Sequence, residues 1–515
     1  MSTPGRSKGQ APGAQRPASP VSRLRQAIGA SPAAALRWLR RVALAALLLV
    51  LATAGGFAAY AVLLLPDLSP WHTDVLPGEF DADRHAALDF AGYQALEAGL
   101  FAQYEAWRQR HAAPARGTRF DPQGAAARLS GGAPYNRSFR LEVGGAGARG
   151  SALLVHGLTD APYAMRALAE TLHARGIEVT VLRLPGHGTL PSMMTRMQLA
   201  DWQAAVRLAA RDAAARRPAG APFYLGGYST GGALVLSLAL AALDDPTLPQ
   251  ATRLLLFAPA LRIAPTAGLA NLLDLAAVLP VARLQKVKWQ DLGPEYDPYK
   301  FNSFPVNATR QIYAATQLVQ RQLARAAERG RLAALPPVIA WQSLVDATLG
   351  AAPLADLLFA RLPDARHELV LFDVNRHRSL EAVADPAPRQ WREALQARPR
   401  PWRLTVVGNE SADTLAVAAQ GPAAAPALPV PLRWPPDVIS LSHVALPFRP
   451  DDPVYGVLPG SGAHGLPSLG ALALRGEEGA LQFPLGALTR LRSNPFWPLV
   501  QAQVEALVEA DLAPR

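Results

Sequence analysis

From residue 150 onward, short and almost continuously apolar runs alternate with stretches in which apolar side chains recur every three or four positions. Ser151–Val155, Glu178–Leu184, Phe223–Gly227 and Arg253–Phe257 have the length and aliphatic content of strands buried on both faces. Ala161–Ala174, Ala200–Ala215 and Thr230–Leu243, which separate or follow them, carry helical spacing. Such alternation predicts an α/β fold with a largely parallel sheet between layers of helices. Val338–Trp341 and Glu368–Phe372 read as the last core strands, with Arg403–Val407 as a further strand before a Pro/Ala-rich surface loop from about Ala418 to Pro436.

The stretch 258–337 breaks the alternation. Leu269–Leu279 and Ala308–Glu328 have helical spacing around the aromatic, Pro-containing segment Tyr296–Pro305, which predicts a helical cap over the active-site edge of the sheet. The alternative is an insertion that only adds stability. On the N-terminal side, Ala86–Arg110 presents one broad apolar face as a helix, and 118–148 holds short leading strands such as Ser138–Val143. Past Gly456 come Gly-rich loops, an amphipathic segment near Leu481–Leu491 and a helix from about Leu499 to Leu507.

The N-terminus follows a different pattern. Residues 1–30 are rich in Ser, Pro, Gly and Ala without periodicity and predict a disordered tail. Val42–Leu65 is then uncharged for 24 residues. As a helix it extends about 36 Å, enough to cross a hydrocarbon core of roughly 30 Å. It is expected to span a membrane, and Arg37, Arg40 and Arg41 before it would keep the N-terminus cytoplasmic. The expected product is a single-pass inner-membrane protein with its large domain on the extracytoplasmic, periplasmic side. A signal peptide cleaved after Ala52-Thr53-Ala54 and a buried core helix are the competing readings; the apolar run continues well past the first, and a cationic tail seldom precedes the second. The predicted order is a basic tail (1–41), a transmembrane helix (42–65), linker, helix and leading strands (66–149), a first core part (150–257), the cap (258–337), a second core part with an insertion (338–455) and an extension (456–515).

Composition narrows the function. Half of the 515 residues are apolar and 18% are charged, as in folded chains. The net charge of +11 would suggest nucleic acid, but eight basic residues and no acidic ones lie in 1–41, leaving 43 basic against 40 acidic residues in the rest. The body has no basic stripe with interleaved aromatics, so a nucleic-acid partner is not expected. Absence of cysteine excludes a disulfide framework, a thiolate nucleophile and Cys-ligated metal. The sequence also lacks zinc-protease, dinucleotide and P-loop motifs.

The candidate chemistry centres on Gly227-Tyr228-Ser229-Thr230-Gly231, a G-x-S-x-G sequence directly after a strand and before a helix. That context predicts a sharp elbow with Ser229 as nucleophile, against a Gly-rich turn whose serine only caps the helix. Oxyanion donors are expected from the N–H of Thr230 and, in the turn His156-Gly157-Leu158 after the first core strand, from the N–H of Leu158. His156 is read as an orienting residue of that turn and, less favourably, as a rival base. Asp346, just past Val338–Trp341, is the expected acid; an Asx turn or N-cap is its alternative role, and Asp373 the runner-up. The histidines after it are His367, His377, His443 and His464. His377 has the shorter spacing but sits between Arg376 and Arg378, whose charge would depress its pKa. His443 lies in Val438–Phe448 with no charged neighbour beside it and is the favoured base.

Leu153–Thr159, Leu184-Pro185-Gly186-His187-Gly188, Gly227–Gly231 and Asp346 together resemble the α/β-hydrolase superfamily, most closely its monoacylglycerol lipase, carboxylesterase and serine-aminopeptidase-like branch. The resemblance implies hydrolysis through an acyl-enzyme, without metal or organic cofactor, usually of carboxylic esters or lipids. In that family the histidine usually follows the last strand closely, so His443 implies a long insertion before it. The leading expectation is a membrane-anchored serine hydrolase cleaving an acyl ester or lipid with Ser229, Asp346 and His443. Peptidase or thioesterase activity with the same triad, and a non-catalytic hydrolase-like assembly module at the membrane, are the alternatives.

Overall fold

The computed structural model describes residues 32–63, 66–124, 126, 135–144, 147–263, 282–421, 428–457, 469–470 and 490–513. The chain divides into two units, one up to Leu65 and one over Pro66–Arg515.

In the first unit Pro32–Leu63 is a single helix, α1. The expected membrane span is corrected here, since no helix among the described residues is long and apolar enough to cross a membrane. Arg37, Arg40 and Arg41 fall inside α1 rather than before it, which places charge in its N-terminal half. Ala52, Thr53, Gly55 and Gly56 contribute little apolar surface farther on, and Thr53 Oγ1 donates to the Leu49 carbonyl. The membrane anchor, the membrane as a partner, the single-pass topology and the extracytoplasmic placement of the second unit therefore lose their structural basis.

The second unit is built on a ten-stranded sheet. Its strands are β1 (Phe139–Leu141), β2 (Gly150–Val155), β3 (Ile177–Leu182), β4 (Phe223–Tyr228), β5 (Arg253–Phe257), β8 (Val338–Ser343), β9 (Glu368–Phe372), β10 (Arg403–Asn409), β11 (Ala416–Gln420) and β12 (Leu428–Arg433). A separate two-stranded ladder pairs β6 (Trp289–Asp291) with β7 (Phe304–Pro305). The large sheet runs in the order β1-β3-β2-β4-β5-β8-β9-β10-β11-β12. From β3 to β10 all pairs are parallel, while β1, β11 and β12 add on antiparallel. Continuous burial of β2, β4 and β8 accounts for their unbroken apolar runs.

The order reverses at β2: the chain moves outward from β2 to β3, then crosses back past β2 to β4. Because parallel crossovers are right-handed, α3 (Arg166–His173) and α4 (Leu199–Arg216) cover opposite faces. The carboxyl ends of β2 and β4 thus flank a topological switch point, where open α/β sheets form their ligand crevice. On the α4 side lie α5 (Thr230–Ala242) and α6 (Val306–Glu328), and α9 (Trp497–Leu512) packs against α3.

Within 258–337, residues 264–281 and the expected helix Leu269–Leu279 lie outside the described residues, as do the tail 1–31 and most of Leu481–Leu491. Helix α6 packs lengthwise on α5, where Ser237 Oγ donates to Gln322 Oε1 at 2.8 Å and Gln322 Nε2 donates to the Ser237 carbonyl. It is one of the helices flanking the sheet. The segment preceding it, held by the β6-β7 ladder, instead reaches the turn after β2, where Phe301 N–H donates to the Thr159 carbonyl.

Residues 66–124 wrap the same end of the sheet. Helix α2 (Phe90–Arg110) is capped by Asp89, which accepts from Gly92 N–H, and buries Phe90, Tyr93, Leu100 and Trp107. Its Glu97 and the upstream Glu79 both take hydrogen bonds from the buried Arg183 guanidinium, at 2.7 and 2.9 Å. Glu79 also accepts from Gly186 N–H, and Arg183 donates to the His187 carbonyl. The loop after β3 is thereby tied to the N-terminal segment.

Candidate active site

β4 ends by driving Ser229 into a left-handed backbone conformation, φ 54° and ψ −115°. For a residue with a Cβ this strain is of order 1–3 kcal/mol and persists only where the surroundings enforce it. Here Ser229 N–H donates to the Phe257 carbonyl at 2.9 Å, while its own carbonyl accepts from Ala260 and Ala233 N–H. The flanking glycines are dictated by space. A Cβ on Gly227 would stand 2.5 Å from the backbone of Gly231 and Gly232, and one on Gly231 would fall on the Val155 carbonyl oxygen. The Ser229 side chain makes no capping bond to α5. The helix-cap alternative therefore has no support in the geometry, and the hydroxyl stands at the helix N-terminus beside the switch point.

Asp346, in the loop between β8 and the short helix α7 (Ala351–Leu357), divides its two oxygens between two tasks. Oδ1 accepts from Thr348 and Leu349 N–H at 2.7 and 3.0 Å, which is the Asx turn considered from sequence. Oδ2 accepts from Gln342 Nε2 and from His443 Nδ1, each at 2.8 Å. Burial works to raise the Asp346 pKa, but the bond and charge of His443 and the two backbone donors outweigh it, and the carboxyl is held below its ordinary value. With Nδ1 committed to the carboxylate, the ring directs Nε2 away from it, the nitrogen a general base presents. The His443 ring lies 5.2 Å from that of Tyr228, the residue before Ser229.

The long interval before His443 has a structural origin. After β9 the chain forms α8 (Pro386–Ala397), adds β10 to the sheet and extends it with the β11-β12 hairpin, in the region read as a surface loop. It then returns across the loop after β9, where Asn375 N–H donates to the Ile439 carbonyl at 2.7 Å and Asn375 Nδ2 to the Val438 carbonyl. That return delivers His443 to Asp346.

The competing histidines are engaged elsewhere. His377 is half-buried and caps a short helix, its Nδ1 2.8 Å from Ser379 Oγ. His156 is fully buried: Nε2 accepts from Leu184 N–H and Nδ1 donates to the Gly157 carbonyl. Burial and the nearby His187 keep it neutral, with a pKa well below the usual value. It orients the turn and has no nitrogen left for a proton transfer. His367 is buried under β8, accepts from Val338 N–H and is lowered by burial to about 4. His464 lies outside the described residues. Asp373 is consumed by Arg376 and Arg392, both at 2.7 Å.

The turn after β2 places the other expected groups. Thr159 adopts φ 64° and Asp160 N–H closes onto the Gly157 carbonyl. Among the described hydrogen bonds, none uses the N–H of Leu158 or of Thr230. Both lie just past the carboxyl ends of neighbouring strands, Leu158 in the turn after β2 and Thr230 at the first position of α5 after β4. Sequence reasoning missed Gln342, which shares Asp346 Oδ2, and the ion pair of Asp160 with Lys300 at 2.8 Å. The first directly follows the predicted strand Val338–Trp341 and the second joins positions 140 apart, so no local pattern marks either.

Residues 146–380 match the family model described as serine aminopeptidase, S33. A thermostable monoacylglycerol lipase of Bacillus sp. (strain H-257) is 48% identical over 54 residues, 10% of this chain and 22% of that protein. The chain thus spans about a fifth of that relative's length. Similar solved structures include one from work on LipS and LipT, two metagenome-derived lipolytic enzymes, with 21% identity over 52% of this chain and 99% of that one and a TM-score of 0.35. Another is a soluble variant of monoglyceride lipase from Saccharomyces cerevisiae, with 15% identity over 46% and 82% and a TM-score of 0.34. Over residues 146–380 the chain is thus similar to serine hydrolases of the α/β-hydrolase superfamily, in the lipase- and esterase-like branch.

Proposed function

We propose that the chain hydrolyses carboxylic esters of acyl or lipid type through an acyl-enzyme on Ser229. His443 takes the proton from the Ser229 hydroxyl as the oxygen attacks the ester carbonyl, and returns it to the departing alcohol. Asp346 fixes the ring with Nδ1–H toward the carboxylate and stabilises the imidazolium that forms. The N–H groups of Leu158 and Thr230 receive the oxyanion, and water attacking by the same route releases the acid. The observation that carries the reading is the buried 2.8 Å contact between His443 Nδ1 and Asp346 Oδ2, beside the strained elbow at Ser229. The monoacylglycerol lipase relative supports an ester in preference to a peptide bond.

A panel of p-nitrophenyl esters of increasing chain length, compared with aminoacyl p-nitroanilides and acyl thioesters, tests this. Turnover of esters by the full chain, lost in Ser229→Ala, is the expected result. Preferential turnover of the anilides would reassign the chain as a peptidase, and inertness toward the whole panel would remove the hydrolase reading.

A further inference from the structure

The turn that presents Leu158 N–H is gripped from one side by two consecutive residues of another segment. Phe301 N–H donates to the Thr159 carbonyl at 2.9 Å, and Lys300 Nζ meets Asp160 Oδ1 at 2.8 Å. Asp160 is buried, and among the described residues Lys300 is the only hydrogen-bond or ion-pair partner of its carboxylate. The other carboxylate oxygen lies over Gly157, where an added Cβ would meet it at 2.6 Å and the Tyr228 ring at 2.9 Å. The carboxylate is therefore lodged between the oxyanion turn and the residue that precedes the nucleophile.

The gripping segment is itself anchored. Asp297 accepts from Tyr299 N–H and from Tyr455 O–H, and the Tyr299 ring stacks on that of Tyr163 at 3.9 Å. We propose that Lys300, through its ion pair with Asp160, is a positioning residue that holds the 157–160 turn so that Leu158 N–H points at the developing oxyanion. This rests on the hydrolase reading above. An oxyanion donor contributes only when aimed at the position the anion occupies, so a small rotation of the turn costs rate without costing substrate binding. Removing Lys300 leaves the Asp160 carboxylate buried without its cation, which the turn relieves by moving toward water.

The test uses the full chain with Lys300→Met, Lys300→Arg and Asp160→Asn. It measures kcat and KM on a p-nitrophenyl ester, the rate at which a fluorophosphonate labels Ser229, and the thermal midpoint. Lys300→Met is expected to lower kcat by about 10²-fold, the loss typical of one oxyanion donor, with KM within about twofold and labelling slowed in step. Lys300→Arg, which keeps the charge, is expected to regain kcat to within about tenfold of wild type. Asp160→Asn, which keeps the size of the side chain but removes the ion pair that holds the turn, is expected to lower kcat in the same direction as Lys300→Met and serves if that variant does not fold. Wild-type kcat in a folded Lys300→Met or in Asp160→Asn overturns the proposal, as does a loss carried wholly by KM. A wild-type chain that the fluorophosphonate does not label overturns the hydrolase reading and the proposal with it; a labelled wild type with an undiminished Lys300→Met overturns the proposal alone.

Discussion

His443 Nδ1 lies 2.8 Å from Asp346 Oδ2 although 97 residues of chain separate them. The contact assigns the two ring nitrogens different duties, because the nitrogen facing a carboxylate carries the proton and the other is left to accept one. Asp346→Asn presents an amide that can donate to Nδ1, which favours the tautomer with Nε2 protonated. A fall in kcat of about 10⁴-fold is expected for this variant, the size seen where the orienting acid of such a triad is amidated, with little change in KM. Steady-state kinetics on a p-nitrophenyl ester reads this directly. A loss below tenfold would mean that Asp346 does not orient the base.

How far the sequence disclosed this arrangement depended on whether a residue's partner was local. The β-α alternation located β2 to β5, β8 and β9 to within a few residues, because buried parallel strands leave continuous apolar runs between helical periods. Ser229, its glycines and its backbone strain follow from a five-residue pattern. The return of the chain from β12 to His443 did not follow, since the hairpin β11-β12 is rich in Ala and Pro and has no clear alternation. His443 could be favoured over His377 from the absence of charged neighbours, but nothing local ties it to Asp346. The N-terminal apolar run illustrates the opposite hazard: hydropathy alone suggested a span that no helix among the described residues supplies.

The clasp around Arg183 supplies a stability prediction. The guanidinium is buried between Glu79 and Glu97, so Arg183→Met leaves the buried Glu97 carboxylate and the half-buried Glu79 carboxylate without their counter-ion. Breaking a buried ion pair from one side typically costs about 3–5 kcal/mol, and a loss of that size in urea unfolding is expected. A change under about 1 kcal/mol would show that the N-terminal segment is held by its apolar contacts alone.

Glu295 predicts a pH dependence. Burial pushes its carboxyl up to about 7, against the opposing effects of the Arg119 charge and the N–H groups of Ser303 and Asn302. An acid with a raised folded pKa binds more protons in the native state than in the unfolded one across the interval between the two values. Its contribution therefore falls as pH rises from about 4 to 7 and is level above that, a change of up to about 3 kcal/mol. The stability of Glu295→Gln relative to wild type is expected to increase over this interval, as read from denaturant unfolding at pH 4.5, 6 and 8. A difference that stays constant with pH would contradict the assignment.

Activation of Ser229 by His443 sets the rate at which a fluorophosphonate phosphonylates the serine, a rate that can be measured with the adduct located by peptide mapping. Modification at Ser229 is expected in wild type, with slowing of about 10³-fold or more in His443→Ala and an unchanged rate in His377→Ala. Modification at another residue, or a His443→Ala variant that labels as fast as wild type, would contradict it.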